Sequence, residues 1–104
     1  MNAPDLTRVP LQPAPDVVAR NIAGEHLLVP VRSGAAQMDY LFTADEVGSF
    51  IYALLDGRRT APEIALLVTH EFDVTPERAQ SDVVAFLETL LDARLVQTAE
   101  DAAP

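Results

Sequence analysis

The sequence contains no cysteine, and its acidic side chains outnumber its basic ones by 16 to 7. Without cysteine, the chain can form neither disulfides nor thiolate nucleophiles nor zinc–cysteine sites. The two histidines, His26 and His70, have no third ligand at a spacing typical of a metal site. We therefore expect neither a bound metal nor a cofactor.

Charge and hydropathy argue against two classes of partner, nucleic acid and membrane. A protein that holds duplex DNA neutralises phosphates with lysine and arginine, whereas this chain has a net charge of −9 and no lysine. No stretch approaches the roughly 18 apolar residues that a spanning helix requires. The N-terminus also lacks the charged head and apolar run of a signal peptide. We expect a cytoplasmic protein.

Motifs typical of enzymes are missing as well. The sequence has no glycine-rich phosphate loop and no serine in a nucleophile-elbow context. Asp45, Glu46 and Asp56 lie near apolar helix ends, where capping explains them without catalysis. Arg58 and Arg59 are typical of solvated cations near the C-terminal end of a helix rather than of a phosphate clamp. The sequence predicts a binding protein, not an enzyme.

A chain of 104 residues is long enough for one domain. Four of its eight prolines lie within the first 16 residues, which favours a disordered lead-in. We accordingly predict a disordered tail over residues 1–16, a folded domain over residues 17–97 and a short tail over residues 98–104.

The first part of the domain predicts a small antiparallel sheet. Residues 17–32 are typical of a β-hairpin, with Gly24 and Glu25 at the turn. Pro30 cannot donate to a ladder, so it must face an unpaired side or a bulge. After a small, polar loop, residues 38–42 predict a third short strand.

Three helices follow, and each has a recognisable start. Thr60 lies three residues before a glutamate, the spacing of a capping box, and Thr75 precedes a proline at the first helical position. The first helix has two candidate caps, Thr43 and Asp45, and should stop near Gly57. Apolar residues repeat at helical spacing along all three segments. This order predicts an α+β, winged-helix-like fold, with a three-stranded antiparallel sheet followed by three helices.

The third strand and the third helix carry more apolar surface than a small core requires. Tyr40, Leu41 and Phe42 are apolar in succession, where alternation predicts a polar residue. On the helix, Val84 and Leu91 widen the apolar stripe at its margin. A groove between an edge strand and this helix suits an extended peptide added as a further strand. The alternative is that these side chains only cover the core.

Two other functions fit the same layout. A winged-helix domain can be a DNA-binding regulator, but the helix that would enter the major groove carries four acidic side chains against Arg78 alone. An open strand edge can also pair with a second copy of the chain, so we expect a monomer or a weak homodimer.

The segment V-G-S-F-I-Y-A-L-L-D-G-R-R-T-A-P-E-I-A, residues 47–65, is the most specific part of a wider resemblance. Weaker matches lie in V-V-A-R-N-I-A-G-E-H-L-L-V-P-V and D-V-V-A-F-L-E-T-L-L-D-A-R-L-V. Together these runs resemble the PqqD-like family, the peptide-recognition elements of ribosomally made, post-translationally modified peptide (RiPP) pathways. The sequence departs from the family pattern at Ala44-Asp45, where Leu-Asn is common, and at Arg94, where glycine is common.

The resemblance implies a domain that binds the leader peptide of a precursor and presents it to a modifying enzyme such as a radical SAM maturase. The leader would pair with backbone groups of the third strand and touch side chains of the third helix. Either flank of that helix could face the groove. The hairpin run L-L-V-P-V is unlike members dedicated to pyrroloquinoline quinone, so that product is not implied here. The candidate peptide-binding residues are Met38, Asp39, Tyr40, Leu41 and Phe42 on the strand, and Gln80, Asp82 and Val84 on the helix.

Overall fold

The computed structural model of the protein describes residues 5–30 and 42–98. Within these residues, two small antiparallel sheets accompany three helices, which confirms the predicted α+β class. The strands are β1 (Leu11–Pro13), β2 (Val17–Ile22), β3 (Glu25–Pro30), β4 (Phe42–Ala44) and β5 (Val96–Thr98). The helices are α1 (Glu46–Ala53), α2 (Ala61–Glu71) and α3 (Pro76–Asp92).

The hairpin of β2 and β3 forms as predicted, but its turn lies one residue earlier. Val17 pairs with Pro30, and the ladder continues to the pair of Ile22 with Glu25. Ala23 and Gly24 connect the strands with φ values of 54° and 84°. Two successive positive φ angles are typical of the tight turn whose twist matches that of the strands it joins.

Local hydrogen bonds decide where each helix begins. Asp45, not Thr43, caps α1: its carboxylate accepts from the backbone amide of Gly48 at 2.7 Å. Thr43 instead belongs to β4. The capping box of Thr60 and Glu63 is present, and the hydrogen bond from the Thr60 backbone amide holds the pKa of Glu63 below its ordinary value.

Helix α1 ends at Ala53, four residues before Gly57, near which the sequence predicted its end. The chain then turns through Asp56 and Gly57, and Gly57 has the positive φ of 77° that the sequence predicted for this segment. The Asp56 carboxylate accepts from the backbone amides of Arg58 at 2.9 Å and Arg59 at 3.2 Å. The first of these bonds is the main reason that the pKa of Asp56 lies below its ordinary value.

The N-terminal segment that the structure describes, residues 5–16, packs on the folded domain, whereas the sequence predicted a disordered tail over residues 1–16. From residue 5 onwards it lies along the helices: the Leu6 carbonyl accepts from the Ala61 amide at 3.0 Å, and the Leu11 carbonyl accepts from the Gly57 amide at 2.9 Å. Strand β1 pairs with β5, whose last residue, Thr98, lies beyond the predicted domain end at 97. Proline content was a poor guide because the leucines between the prolines are buried.

The core lies between α2, α3 and the strands that cover them. Its most deeply buried side chains come from all three helices, from β1 and from the residue that precedes β5. Among the helices that the structure describes, none is both long and apolar enough to cross a bilayer. The largest fully buried side chains are Leu11, Ile51, Ile64, Val83, Leu87, Leu90 and Leu95.

Candidate functional site

Strand β4 lies at one border of the three-stranded sheet. The strand order is β2-β3-β4, and β4 pairs with β3 through Leu28 with Phe42, Leu27 with Thr43 and His26 with Ala44. Among residues 5–30 and 42–98, no strand pairs with the other side of β4. Backbone amides and carbonyls that point to that side can therefore bond an added strand.

A cleft of about 320 Å³ opens where β4 runs into α1. It lies between the first turns of α1 and one flank of α3. Buried apolar side chains form its floor, half-buried Val47 and Phe86 line its walls, and the carboxylates of Asp45 and Asp82 lie among its exposed residues. The residues lining the cleft are Asp45, Val47, Gly48, Ile51, Val68, Val74, Ala79, Asp82, Val83, Ala85 and Phe86.

Gly48 allows the two walls of the cleft to approach closely. A Cβ atom at this position would lie 3.0 and 3.1 Å from two ring carbons of Phe86 and 3.3 Å from the Cβ of Ala44. Such distances are shorter than ordinary van der Waals contact, so any larger residue would displace the ring. A glycine in the first turn of a helix was a signal of close packing, and the neighbour is an aromatic side chain.

The structure brings one of the three predicted α3 residues to the cleft. Asp82 lines it together with Phe86, which lies one helical turn further along the same flank. Gln80 lines a separate cavity between α2 and α3, and Val84 is half-buried against the core. Of the strand residues, Phe42 contributes its backbone to β4, and Met38, Asp39, Tyr40 and Leu41 lie outside the described residues.

Sequence reasoning missed most of the cleft. Asp45 was assigned only a capping role, Gly48 was not named as a site residue, and Phe86 was not distinguished from the core stripe of its helix. The periodicity of α3 places Phe86 at the border of that stripe, since it is half-buried while Val83 and Leu87 are fully buried. A wide stripe reveals that a helix has an extra apolar flank, but not which neighbour that flank faces.

The electrostatics of the cleft come from its two carboxylates. Asp82 accepts from the Arg78 guanidinium at 3.1 Å in a pair whose side chains are 54% and 72% exposed, respectively. Such exposed pairs contribute little to stability. Among the described residues, no cation pairs with Asp45, and no group of three or more His, Cys, Asp or Glu could hold a metal ion. The arrangement is suited to noncovalent binding of an extended chain.

Comparison with known proteins places this geometry in a defined context. The family model described as coenzyme PQQ synthesis protein D (PqqD) matches residues 25–96. Among curated proteins, none is significantly similar to the chain. Among solved structures, TbiB1 in complex with the TbiA(beta) leader peptide is 27% identical, with a TM-score of 0.67 over 83% of this chain and 94% of that one.

Two further solved structures share the fold at lower sequence identity. Lasso peptide synthetase B1 complexed with the leader peptide is 17% identical, with a TM-score of 0.69 over 84% of this chain and 96% of that one. The PqqD truncation of Methylobacterium extorquens PqqCD, representing a functional and stand-alone RiPP recognition element, is 23% identical. Its TM-score is 0.69, over 91% of this chain and 95% of that one.

Proposed function

This chain belongs to the PqqD family, and we propose that it binds the leader peptide of a ribosomally made precursor and presents the precursor to a modifying enzyme. The observation that carries the proposal is the side of β4 that no described strand occupies, together with the apolar cleft that begins at Asp45, the residue after β4, and reaches α3. The two similar structures that contain leader peptides support it.

Strand addition explains how such a surface binds a peptide. Main-chain hydrogen bonds to β4 supply affinity for any extended chain, and pockets that receive alternate side chains supply selectivity. In this proposal the backbone of residues 42–44 accepts the guest strand, and pairing continues towards Met38, Asp39, Tyr40 and Leu41, as the family resemblance implies. Guest side chains on one face then enter the cleft whose walls are formed by Val47 and Phe86.

On α3, the geometry favours a revised set of contacts. Asp82, Ala85 and Phe86 line the cleft, so we propose that they touch the guest. Gln80 and Val84 lie on the other flank of the helix and are not part of the proposed contact. Such contacts can hold and orient a peptide without reacting with it, and the role we propose is binding rather than catalysis. The modifying enzyme is a partner of unspecified class, of which radical SAM enzymes are one.

A DNA-binding role is not supported by the same surface. Glu77, Asp82, Glu88 and Asp92 are all exposed on α3, and Arg78 donates to Asp82. This helix would be repelled by the phosphate rows on either side of a major groove.

Selection from a random peptide display library on the intact protein tests the proposal. We expect enriched peptides to slow hydrogen exchange at backbone amides of residues 42–44 and to shift the NMR signals of Gly48 and Phe86. Amides of residues 20–22 in β2, at the opposite border of the sheet, are the internal control and should be unchanged. Enriched peptides that protect β2 instead, or that leave β4 unprotected, would show that strand addition to β4 is wrong.

A further inference from the structure

The cleft combines an apolar floor with carboxylates on two different elements, Asp45 at the cap of α1 and Asp82 on α3. We infer that the peptide bound here places an apolar side chain in the cleft and a lysine or arginine two residues away in sequence, on the same face of the added strand, where the side-chain cation meets these carboxylates. The inference rests on the proposed function and specifies the class of peptide.

The apolar part of the preference follows from the lining. Val47, Val74, Ala85 and Phe86 all contribute to the cleft walls. Most of the area that a guest side chain would cover is therefore apolar, and burial of apolar area stabilises by roughly 25 cal/mol per Å². A polar guest side chain would lose its hydration without finding matching hydrogen-bond partners there.

Asp82 contributes most to the preference for a cation. Its present partner, Arg78, lies four residues earlier on the same helix, and both side chains are largely exposed. An exposed pair of this kind is worth only about 0.3–0.5 kcal/mol. A guest cation that approaches from the cleft can therefore share or replace Arg78 at small cost.

Asp45 contributes a smaller attraction. Its carboxylate already accepts from the Gly48 amide at 2.7 Å, and the positive end of the α1 dipole lies behind it. Both effects reduce the negative potential that a guest experiences. Glu46, exposed in the first turn of α1, adds a further negative charge nearby.

An acidic guest is the opposite case. It would meet two carboxylates at the cleft and a protein with a net charge of −9. Like charges in juxtaposition disfavour the wrong partner, whereas complementary charges accelerate association and set specificity. A guest with no charge at this position would experience neither the attraction nor the repulsion. Its affinity should therefore lie between those of a basic and an acidic guest.

Two double variants with equal change in net charge test the inference. Asp45→Asn with Asp82→Asn removes both cleft carboxylates, and asparagine is as good a helix cap as aspartate. Glu71→Gln with Glu77→Gln is the control, because both residues are exposed and neither lines the cleft. Peptides from a random display library are selected on the wild-type protein. A selected peptide is then synthesised with its basic residue as lysine and as glutamine.

The inference predicts that lysine or arginine is enriched two residues from the apolar position. Replacing the lysine with glutamine should weaken binding about three- to tenfold in the wild-type and control proteins, and less than about twofold in the Asn variant. Selected peptides that protect β4 amides without a basic preference, or whose preference survives in the Asn variant, would overturn the inference and leave strand addition intact. Failure of every selected peptide to protect β4 would overturn both.

Discussion

The two sheets of this molecule differ in what lies beside their border strands. In the smaller sheet, β1 and β5 pair with one another. Leu11 of β1 is only 1% exposed because its side chain packs into the hydrophobic core. In the larger sheet, β4 borders a cleft whose walls are half-buried and face solvent. Similar short strands therefore lie in different environments: one seals the core, and in the proposed function the other accepts a guest.

In the proposed function, the β1 side contributes mainly to stability and the β4 side mainly to peptide binding. The β1 side joins residues from the two ends of the described chain. The Leu6 carbonyl also accepts from the first residue of α2, and the Leu11 carbonyl accepts from the segment between α1 and α2. The β4 side has shallower burial, as expected of a surface kept for a ligand. Substitutions on the two sides should therefore affect different measurements.

The largest effect is expected from Leu11→Ala on the sealed side. Removing a fully buried leucine side chain should lower the free energy of unfolding by about 2–5 kcal/mol, measured by urea denaturation. Val18→Ala on β2 is the control: this side chain is 39% exposed and should cost less than about 1 kcal/mol. Equal costs for the two variants would mean that the N-terminal strand is not part of the core.

The next largest effect should come from proline at Thr43 or Ala44 on the binding side. Neighbouring residues of a strand direct their amides to opposite borders, so one of these two prolines removes a ladder bond to β3 and the other removes an amide offered to the guest. The variant that loses the amide offered to the guest should remain folded. It should bind a display-selected peptide at least about tenfold more weakly, a loss of about 1.4 kcal/mol in binding free energy.

Thr43→Val is the matched control for the proline pair, because it keeps the amide and a β-branched side chain. Its peptide affinity, measured by titration calorimetry, should equal that of the wild-type protein. Wild-type affinity in both proline variants, with circular dichroism showing them folded, would be incompatible with strand addition at residues 42–44.

A smaller effect is expected where Gly48 meets Phe86. In Gly48→Ala the added methyl group should push the ring into the cleft and weaken binding of the same peptide about fivefold, roughly 1 kcal/mol. The free energy of unfolding should change little, because crowding against the Phe86 ring is offset by the higher helix propensity of alanine, which exceeds that of glycine by up to about 1 kcal/mol. In a Phe86→Leu background the same change should alter affinity less than about twofold. Additive effects of the two substitutions would mean that Gly48→Ala does not act through the Phe86 ring.

The smallest effect concerns the hairpin turn that supports the open sheet. Ala23 holds a φ of 54°, which asparagine tolerates better than alanine. Ala23→Asn should raise the free energy of unfolding by roughly 0.5 kcal/mol without a change in peptide affinity. Ala19→Asn, in the middle of β2, should instead be neutral or destabilising, because asparagine is disfavoured in strands. If both variants destabilise alike, conformational strain at the turn is not the cause.

Much of the fold was predictable because its signals are local. The caps at Thr60 and Thr75, the β2–β3 hairpin and the apolar stripes of the helices all depend on residues within a few positions of each other. The cap of α1 shows the limit of such reasoning. Thr43 and Asp45 both fit a helix start, and the choice between them was made when Thr43 paired with Leu27 in the sheet.

The candidate site was less predictable. The sequence indicated a groove between the third strand and the third helix and proposed Asp82 as one of its residues, and Asp82 lines the cleft. It could not separate Asp82 from Gln80 and Val84, because all three lie beside the same buried stripe. Which flank of α3 borders the cleft depends on where α1 packs. The contact of Gly48 with Phe86 shows that α1 packs on the Asp82 flank.

By itself, the sequence determined the class of fold, the starts of the second and third helices and the acidic, cysteine-free character of the surface, because hydrogen bonds between near neighbours and composition suffice for these. Only the tertiary structure decided that Leu11 belongs to the core and that the Asp82 flank of α3 faces the cleft. Both outcomes depend on packing between segments far apart in the chain, and no local pattern specifies which distant surface a given side chain will meet.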